Sequence, residues 1–575
     1  MRFPSLTPRP RSQEIMDVFG GYNHRQRIPE RDFYDLQNLT SHHYPVLATR
    51  KLRGLHAEAV HPQGMIARDS LCYVAGGDFV INGYHVPMGL SQEQKQLVSM
   101  GAYVIILPDK KYINTADISD RGNIEAEFTA QSPVTAIPCQ PDGTEYTPDY
   151  IQPGEPEAPG NMALWVDTSA QPYSLKQYSG SLSMWTAVEN TYIKLRCSGI
   201  GKAFSQYDGI TLSGLEGTKL EKLNGSAILY GAEEDAVILP GLLESSLMLE
   251  APLKLFRKMP LMDFVIESGN RLWGCRYGLN DRGKVVNELY ASKLGDFKNW
   301  NCFLGISTDS YYVSLGSDGV FTGAVTHGGY PLFFRENCLH KVYGQMPANF
   351  SVQTTACRGV QKGCHGSLAI VNEILYYKSP QGVCAYDGAF PVEVSAALGD
   401  VPYGAAIGAG SGHRYYVSLL AEDGQRKLFI YDTQTSLWHR ENDPGTCLLC
   451  ACREDVYCAA EDGSIVTLLG GGDPWEKTLP WMLQTGILGG SQPEKKYLAQ
   501  LSLSLRLELG GSVEIYAQYD SQGDWESLGT VTGRELHSFT VPVKPRRCDH
   551  LRLRLEGQGA CTLYSMTKTY AHAQR

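Results

Sequence analysis

The sequence has one cluster of thiols that could hold a metal ion, formed by Cys447, Cys450, Cys452 and Cys458. A zinc site needs four ligands at the corners of a tetrahedron. Cys450 and Cys452 alternate along a stretch typical of a strand, which turns both thiols to one face, where thiols commonly behave as small apolar groups. We therefore favour buried thiols over a zinc site. The chain has 15 cysteines, an odd and scattered set, and we predict that they are reduced.

Histidine and arginine pairs invite a second functional interpretation. His42 and His43 are adjacent, and adjacent residues of a strand face opposite ways, so we favour a surface loop over a pair of ligands. Four arginines would suit a phosphate-binding patch, namely Arg546, Arg547, Arg552 and Arg554. Arg552 and Arg554 alternate with leucines, however, which places them on the solvent-facing side of a strand whatever the function.

No catalytic motif stands out. The sequence lacks the G-x-S-x-G nucleophile turn, the H-E-x-x-H zinc motif, the P-loop and the dinucleotide-binding glycine pattern. The string Asp520–Trp525 comes nearest to the S-x-D-x-G-x-x-W turn of sialidases but has the wrong spacing. A carboxylate pair for glycoside hydrolysis depends on a spatial separation that sequence does not give. We predict no catalytic residue, no cofactor and no metal ligand, and a protein that is not an enzyme.

Aromatic residues mark the elements that would carry any site. The 33 tyrosines and 8 tryptophans would suit a sugar-binding groove, but many stand at the starts of strands, which favours the core. Strands led by aromatic or apolar doublets begin at Leu272, Tyr311, Leu375, Tyr415 and Val456. Most of these starts are about 40 residues apart, a period typical of a four-stranded β-propeller blade. N-terminal strands within Ser70–Gly77 and Tyr103–Asp109 would complete the ring.

The chain of 575 residues is too long for one core, and we predict an all-β protein of several parts. Residues 1–120 form the N-terminal part of a β-propeller, 121–256 an inserted β domain with a Pro-rich loop, and 257–479 the remainder of the propeller. Residues 480–575 form a jelly-roll-like antiparallel β-sandwich, because residues such as Leu501, Leu503 and Leu505 alternate with polar neighbours. One short helix is predicted at Ser91–Met100, with Gly101 as its stop.

Composition narrows the classes of function. Hydrophobic residues at 43% and charged residues at 19% exclude a disordered chain. The net charge of −10 argues against a nucleic-acid-binding protein, because duplex affinity comes mainly from cations that displace counterions. Met1–Gln13 is basic without an apolar segment, and the strongest apolar run, Ala102–Leu107, is far shorter than the roughly 20 residues that cross a bilayer. We predict no secretion signal and no membrane anchor.

Several strings of the sequence resemble a group of tailed-bacteriophage virion proteins. The resemblance covers the predicted propeller and sandwich, and its most distinctive part is the pair N-R-L-W and S-K-L-G-D-F-x-N-W. The strings that carry it are Phe19–Asn23, Tyr44–Arg50, Asn270–Gly274, Ser292–Trp300, Phe333–Gly344 and Pro545–His550. Phage propeller proteins of this kind resemble tail-nozzle, tail-hub and packaged-DNA stabilisation proteins.

The resemblance implies a structural role in the virion, assembled in the bacterial cytoplasm, without catalytic residues. Its implied partners are further copies of the same chain in a ring, and neighbouring virion proteins such as a portal or adaptor ring or tail proteins. DNA would pass without sequence-specific binding, and we expect Asp and Glu side chains to line the lumen, since an acidic wall weakens phosphate adsorption. The competing interpretation is a glycan-binding or glycoside-processing propeller whose sandwich is a carbohydrate-binding module, and it rests on fold analogy alone.

Overall fold

The computed structural model describes residues 11–250, 252–489, 495–533, 536–543 and 546–572. The first ten residues of the basic N-terminal stretch and Pro545 therefore lie outside the described residues. The described chain is almost entirely β-strand, and the predicted all-β class is confirmed. Short 3-10 helices are present at Glu221–Leu223, Pro347–Asn349, His365–Ser367 and Ala396–Leu398. No helix in the described ranges is long and apolar enough to cross a membrane.

Seven antiparallel sheets, numbered I to VII in chain order, make up the largest part of the molecule. Their strands are Pro62–Ala67, Leu71–Ala75, Asp78–Ile81 and Tyr84–Pro87 in sheet I; Gln96–Met100, Tyr103–Leu107, Lys111–Asn114 and Arg121–Asn123 in sheet II; Phe264–Ser268, Arg271–Leu279, Val285–Ala291 and Tyr311–Ser314 in sheet III; Gly323–His327, Tyr330–Phe334, Cys338–Tyr343 and Ser351–Ala356 in sheet IV; Ala369–Val371, Ile374–Lys378, Val383–Tyr386 and Val392–Glu393 in sheet V; Tyr403–Ser411, Arg414–Ala421, Arg426–Asp432 and Leu437–Glu441 in sheet VI; Thr446–Cys452, Asp455–Ala460, Ser464–Thr467, Gly54–Glu58 and Asp473–Pro474 in sheet VII.

Neighbouring sheets of this series pack face to face and the series closes on itself. The first strands of consecutive sheets contact each other from I to IV, from V to VII, and from VII back to I. Sheets IV and V meet through the rings of Phe334 and Tyr377, whose centroids are 5.2 Å apart. Tyr376 of sheet V stacks on Tyr415 of sheet VI at 5.4 Å. These four aromatic residues are thus packed between sheets, as expected, whereas Tyr312 of the doublet that begins at Tyr311 is 59% exposed.

A strand from the N-terminal region completes sheet VII. Gly54–Glu58 pairs antiparallel with Ser464–Thr467, so residues some four hundred positions apart in the chain share one sheet. Gly54 has a physical reason to be glycine, because a Cβ there would lie 1.8 Å from the carbonyl oxygen of Gly471.

The predicted helix at Ser91–Met100 is wrong. Gln96–Met100 is the first strand of sheet II and pairs with Tyr103–Leu107. The residues before it are held as a loop, since the Ser91 N–H donates to Asp109 and the Lys95 ammonium forms a buried ion pair with the same carboxylate at 2.6 Å. Pairing across the sheet outweighs the local helix preference of the Gln- and Lys-rich segment.

Three further sheets lie between sheets II and III in the chain. The first joins Ala126–Thr129, Lys254–Arg257, Gly209–Ser213 and Gly225–Ile228; the second joins Gly231–Glu233, Ala236–Pro240, Tyr192–Arg196, Val134–Cys139 and Leu247–Leu249; the third, smaller sheet joins Tyr150–Gln152, Leu164–Asp167, Ser174–Ser179 and Met184–Ala187. The first two share one apolar core. Ala126 pairs with Arg257, so the chain enters and leaves this region at adjacent strands.

Two terminal sheets bring the ends of the chain together. The larger joins Leu39–Thr40, Leu47–Thr49, Cys561–His572, Lys496–Leu507 and His537–Val541, with Arg11–Met16 and Arg547–Cys548 at its sides; the other joins Phe33–Gln37, Pro480–Thr485, Leu551–Gln558, Ser512–Tyr519 and Glu526–Thr532. Their alternating leucines are buried as expected, including Leu501, Leu503, Leu505 and Leu553.

The N-terminal strands differ from the predicted division of the chain, which assigned residues 1–120 to the propeller. Arg11–Met16 pairs with Cys561–His572, and Phe33–Gln37 pairs with Pro480–Thr485. These strands belong with the terminal sheets because their apolar residues, such as Phe33 and Leu36, complete the core of those sheets. At the predicted boundary of the insert, Arg121–Asn123 is the fourth strand of sheet II.

A buried cluster of charges joins the terminal sheets to sheets VI and VII. Arg50 pairs with Glu476 at 2.6 Å, and Arg53 pairs with Glu441 at 3.1 Å. Arg53 has 0% of its surface exposed. Burial raises the pKa of Glu476, but hydrogen bonds from Arg50 and the Arg53 backbone outweigh it and hold that pKa below its usual value. Removing one partner would leave a buried charge uncompensated, so this cluster fixes the position of the terminal sheets.

Leu553 provides a test of the packing of the terminal sheets. Leu553→Asp would bury an unpaired carboxylate at a fully buried position, and we expect it to lower the free energy of unfolding by about 3 kcal/mol or more. The matched control is Leu509→Asp, since Leu509 is 98% exposed in the turn that follows the strand Lys496–Leu507. Urea denaturation of both variants checks this, and equal stability of Leu553→Asp and the wild-type chain would contradict the face assignment.

His439 predicts how stability depends on pH. It is 1% exposed in sheet VI, and among the described residues neither ring nitrogen has a hydrogen-bond partner. Burial lowers its pKa to about 3 despite the nearby Asp432, with Arg414 and His42 adding to the effect. The unfolded chain, with a pKa near about 6.5, then binds more protons than the folded chain. His439 therefore contributes stability above pH ~6.5 that is lost as pH falls towards ~3, at up to about 1.4 kcal/mol per pH unit.

The variant His439→Phe keeps a ring at this site and removes the titration. We expect its free energy of unfolding to fall less between pH 7 and pH 4 than that of the wild-type chain, measured by denaturant titration at each pH. Parallel pH curves for the two chains would show that His439 does not contribute.

Candidate functional site

The most distinctive strings of the sequence meet in one loop of sheet III. The N-R-L-W string lies on the hairpin that opens the second strand, and Ser292–Trp300 begins the loop 292–310 between the third and fourth strands. Arg271, 1% exposed, donates to the carbonyl oxygens of Ser292 at 2.7 Å, Asp309 at 2.5 Å and Ser307 at 2.8 Å. One guanidinium therefore holds both ends of the loop together, a task for which its fork of donors is suited.

Asn299 ties the loop to the inserted sheets. Its side-chain oxygen accepts from the Gly209 N–H at 2.8 Å, and its amide donates to Asp208 at 2.8 Å and to Asp296 at 2.6 Å. Asp208 also forms a buried ion pair with Arg257. The loop and the insert are thus linked by hydrogen bonds that are shielded from water.

Aromatic residues of the same string fix the loop on sheet II. The Phe297 ring lies 5.0 Å from Tyr103 and 5.2 Å from Tyr112. The Trp300 indole N–H donates to the Phe297 carbonyl oxygen at 3.0 Å, and both aromatic side chains are buried. The Lys298 ammonium lies 4.2 Å from the centre of the Tyr112 ring, a cation–π contact. The sequence string is therefore used to build a rigid loop.

The end of the loop exposes apolar side chains, and we call Phe303, Leu304, Ile306 and Tyr312 the apolar tip. Their exposed fractions are 49%, 59%, 51% and 59%, respectively. The rings of Phe303 and Tyr312 contact each other at 5.8 Å. A contiguous exposed apolar group of this kind is typical of a protein interface.

Asp309 fixes the backbone of the apolar tip. One of its carboxylate oxygens accepts hydrogen bonds from the N–H groups of Leu304 at 2.6 Å, Gly305 at 2.6 Å and Ile306 at 3.1 Å. Three successive N–H groups converging on one anion form a backbone nest. The tip is therefore pre-organised, and binding a partner through it would cost little conformational entropy.

His365, which precedes the first strand of sheet V, reaches across the middle of the seven-sheet cycle. Its ring is tilted against Phe264 of sheet III at 4.5 Å, accepts from the Ala324 N–H of sheet IV at 3.4 Å, and lies 3.5 Å from the amide nitrogen of Gln96 in sheet II. Sheets II and V are not neighbours, so this contact crosses the middle of the cycle. Burial lowers the pKa of His365 to about 4, and the ring is neutral near pH 7.

A cavity of about 900 Å³ lies beside sheets IV, V and VI and the segment 24–26. Lys378 in its wall is 3% exposed and donates to Gln361 at 2.6 Å and to the Ser379 carbonyl oxygen at 2.5 Å; burial lowers its pKa. Glu393, also in the wall, pairs with Arg358 at 2.8 Å. Lys378 and Glu393 are engaged in hydrogen bonds within the chain. The cavity could therefore bind a molecule through its polar wall, but these two groups are not placed as a catalytic acid and base.

The residues weighed from sequence do not converge on one site. His42 lies in an exposed loop, as expected, and its ring accepts from Arg414 at 2.5 Å. Arg546 pairs with Glu526 at 2.7 Å, and Arg552 lies over the Tyr34 ring at 5.4 Å. In the turn of Asp520–Trp525, the Ser521 hydroxyl is 2.8 Å from His550 in an exposed contact.

The thiols are dispersed in the core. All 15 cysteines are unpaired, and Cys450 and Cys452 lie in one apolar cluster between sheets VII and I. Burial raises the pKa of Cys450 to about 12. Within the described residues, no three His, Cys, Asp or Glu side chains are placed to hold a metal ion.

Other strings of the resemblance also have structural roles. Arg50, the last residue of Tyr44–Arg50, belongs to the buried charge cluster. Arg335 in Phe333–Gly344 is 2% exposed and donates to Asn287 at 2.7 Å and to Ser317 at 3.1 Å. Gly21 in Phe19–Asn23 lies so close to Trp438 that a Cβ would be 2.4 Å from its carbonyl oxygen.

The apolar tip was not predicted from the sequence. Phe303 to Ile306 follow Trp300, the last residue of the distinctive string, and aromatic residues were expected in the core. The available signal was a short apolar run, Phe303 to Ile306, without strand alternation and followed by Asp309. Such a run between turn residues is typical of an exposed loop that is held by a local carboxylate.

Comparison with known proteins adds little. No family model matches the chain, and no curated protein sequence matches it. Among solved structures, PorZ of Porphyromonas gingivalis, an essential surface component of the type-IX secretion system, has a TM-score of 0.26 and 10% identity over 88% of this chain and 82% of its own. Trypanosoma rangeli sialidase has a TM-score of 0.22 and 9% identity over 92% and 96%. An exo-β-1,3-galactanase of Phanerochaete chrysosporium has a TM-score of 0.16 and 8% identity over 74% and 97%. Similarity at these scores carries no argument about function.

Asp309→Ala tests whether the carboxylate orders the apolar tip. We expect the amide hydrogens of Leu304, Gly305 and Ile306 to exchange at least about tenfold faster, because each loses a charge-assisted hydrogen bond. Hydrogen exchange read by mass spectrometry checks this. Asp423→Ala, which removes a carboxylate from a turn of sheet VI, is the control and leaves the tip unchanged. Unchanged exchange in Asp309→Ala would contradict the assignment.

Proposed function

We propose that the chain is a structural component of a tailed-phage virion, a ring-forming tail nozzle or hub or a head–tail stabilisation protein through which DNA passes. The proposal rests on the structural role of the two strings that resemble this group, Asn270–Gly274 and Ser292–Trp300. Arg271, Asn299 and Trp300 build a rigid loop that exposes an uncharged apolar tip, and their side chains donate hydrogen bonds within the loop and to the insert. Such a loop suits assembly with another protein.

The proposed architecture is a seven-bladed β-propeller with an inserted β domain and a terminal β-sandwich. Its support is the closed cycle of contacts among sheets I to VII and the completion of sheet VII by Gly54–Glu58. Radial closure of this kind protects the edges of strands. The inserted domain lies between sheets II and III in the chain, and the two terminal sheets contribute to one buried core.

The contacts of His365 across the middle of the cycle limit the routes by which DNA could pass the chain. Because His365 contacts Gln96, Phe264 and Ala324 there, no duplex fits through a single chain. Passage therefore requires a lumen between several copies of the chain, which is what a ring of subunits supplies. The acidic net charge would weaken adsorption of DNA to such a lumen.

The alternative is a glycan-binding or glycoside-processing protein, which the cavity of about 900 Å³ favours because Glu336, Glu393 and Asp400 lie in its wall. Against it, Glu393 is paired with Arg358. The inserted aromatic residues around Trp185 pack edge to face on one another, for example on Trp165 at 5.3 Å and 67°. They fill a small core and do not form a flat platform for a sugar ring.

Deletion of the gene from its phage, with complementation in trans, tests the proposal. We expect purified particles to contain the chain, and deletion to yield particles that lack tails or lose DNA. The matched variant Glu336→Gln with Glu393→Gln would complement fully, because glutamine keeps an accepting oxygen at both positions and the ion pair that is lost, Glu393 with Arg358, is partly exposed and weak. Normal particles without the chain, together with glycan-array binding that this variant abolishes, would favour the alternative.

A further inference from the structure

The loop that carries the apolar tip has few charged residues. From Asn299 to Ser317 the only Asp, Glu, Lys, Arg or His residue is Asp309, whose carboxylate is turned inward onto the tip backbone. Phe303, Leu304 and Ile306 project from this loop. A highly charged partner such as DNA gains nothing from this surface, whereas an apolar protein groove does.

The same chain carries an apolar groove between sheets II and III. It encloses about 200 Å³ and is lined mainly by Leu107, Pro108, Met259, Pro260, Leu261 and Met262. Leu261 is 41% exposed at its mouth, and Met259, 1% exposed, lies at its floor.

The charged residues at the groove are already neutralised within the chain. Lys110 pairs with Glu125 at 2.6 Å, and Asp263 pairs with Arg276 at 2.6 Å. An apolar side chain can therefore enter without stripping water from an unpaired charge.

Tip and groove lie at opposite ends of sheet III. The groove residues Met259 to Asp263 precede the first strand, whose end, Ser268, pairs with Arg271 in the hairpin. The tip loop leaves after Ala291, which pairs with Trp273 beside that hairpin. Because the tip of a single chain is exposed and its backbone is fixed by Asp309, it does not fill its own groove, and the groove of a second copy can take it.

We propose that the apolar tip of one copy of the chain docks in the groove between sheets II and III of a second copy. A cavity of roughly 150 Å³ holds a benzene-sized ring, so the groove accommodates the ring of Phe303, with Leu304 and Ile306 at its mouth. The contact joins different surfaces of the two copies, and repeated head-to-tail contacts of this type close into a ring or continue as a filament. The inference rests on the proposed ring-forming function and names the surfaces that form the ring.

Photo-crosslinking of the full chain tests the contact directly. A photoreactive phenylalanine analogue replaces Phe303, and the protein is mixed with isotope-labelled copies so that crosslinks between copies are recognised by mass. We expect crosslinks from position 303 to residues 107–110 or 259–262 of another copy. Crosslinks to any other region, or none between copies, would overturn the proposal.

Sedimentation equilibrium of variants gives the second readout. At concentrations up to about 100 μM, where micromolar contacts are populated, we expect Phe303→Ser and Leu261→Asp each to weaken self-association at least about tenfold. The matched controls are Phe390→Ser, an aromatic residue 64% exposed on sheet V, and Leu279→Asp, a leucine 56% exposed on sheet III. A monomeric wild-type chain, or self-association unchanged by Phe303→Ser, would overturn the proposal.

The two proposals fail in different ways. If particles contain the wild-type chain and take up Phe303→Ser in equal amount and function, the docking contact is wrong and the virion function stands. If the chain is absent from particles while position 303 still crosslinks to the groove, the virion function is wrong and the docking contact stands.

Discussion

The pairing of Gly54–Glu58 with Ser464–Thr467 is the constraint on which the remaining architecture depends. Each sheet of the cycle packs against its neighbours, so sheet VII must be completed before it can close the cycle against sheet I. Arg53 stands directly before this strand, and its guanidinium enters the charge cluster that holds the terminal sheets. Closure of the cycle and docking of the terminal sheets are therefore set by consecutive residues. Contacts so distant in sequence form slowly, because closing so long a loop costs conformational entropy before the contact is gained.

Buried arginines serve the architecture throughout the molecule. Arg53, Arg271 and Arg335 are among the largest fully buried side chains. Arg335 donates to the side-chain oxygens of Asn287 and Ser317, whereas Arg271 donates to three backbone carbonyl oxygens of the loop 292–310. This satisfies backbone groups that would otherwise be buried without hydrogen bonds. It also explains why strings such as N-R-L-W have distinctive residue types without a catalytic role.

The sequence predicted the features that depend on local pattern. The aromatic or apolar doublets at Tyr415 and Val456 correctly indicated strands, and the alternation of Leu501 to Leu505 correctly indicated a buried face. The helix at Ser91–Met100 was wrong because the local preference was outweighed by pairing with Tyr103–Leu107. The pairing of Arg11–Met16 with Cys561–His572 escaped prediction because no local pattern names a partner at the other end of the chain. The apolar tip escaped for a related reason: exposure of Phe303 depends on Asp309 and Arg271 folding the loop outward.

The antiparallel pairing of Arg11 with Ala571 has a mechanical consequence. A force that pulls these two residues apart acts across the strands and breaks their hydrogen bonds one after another, beginning at this end. The strands of sheets I to VII all lie between these two paired strands in the sequence, so the force does not act on them while the pair is intact. Tension applied at the two ends would therefore unzip one pair of strands and leave the cycle unstretched.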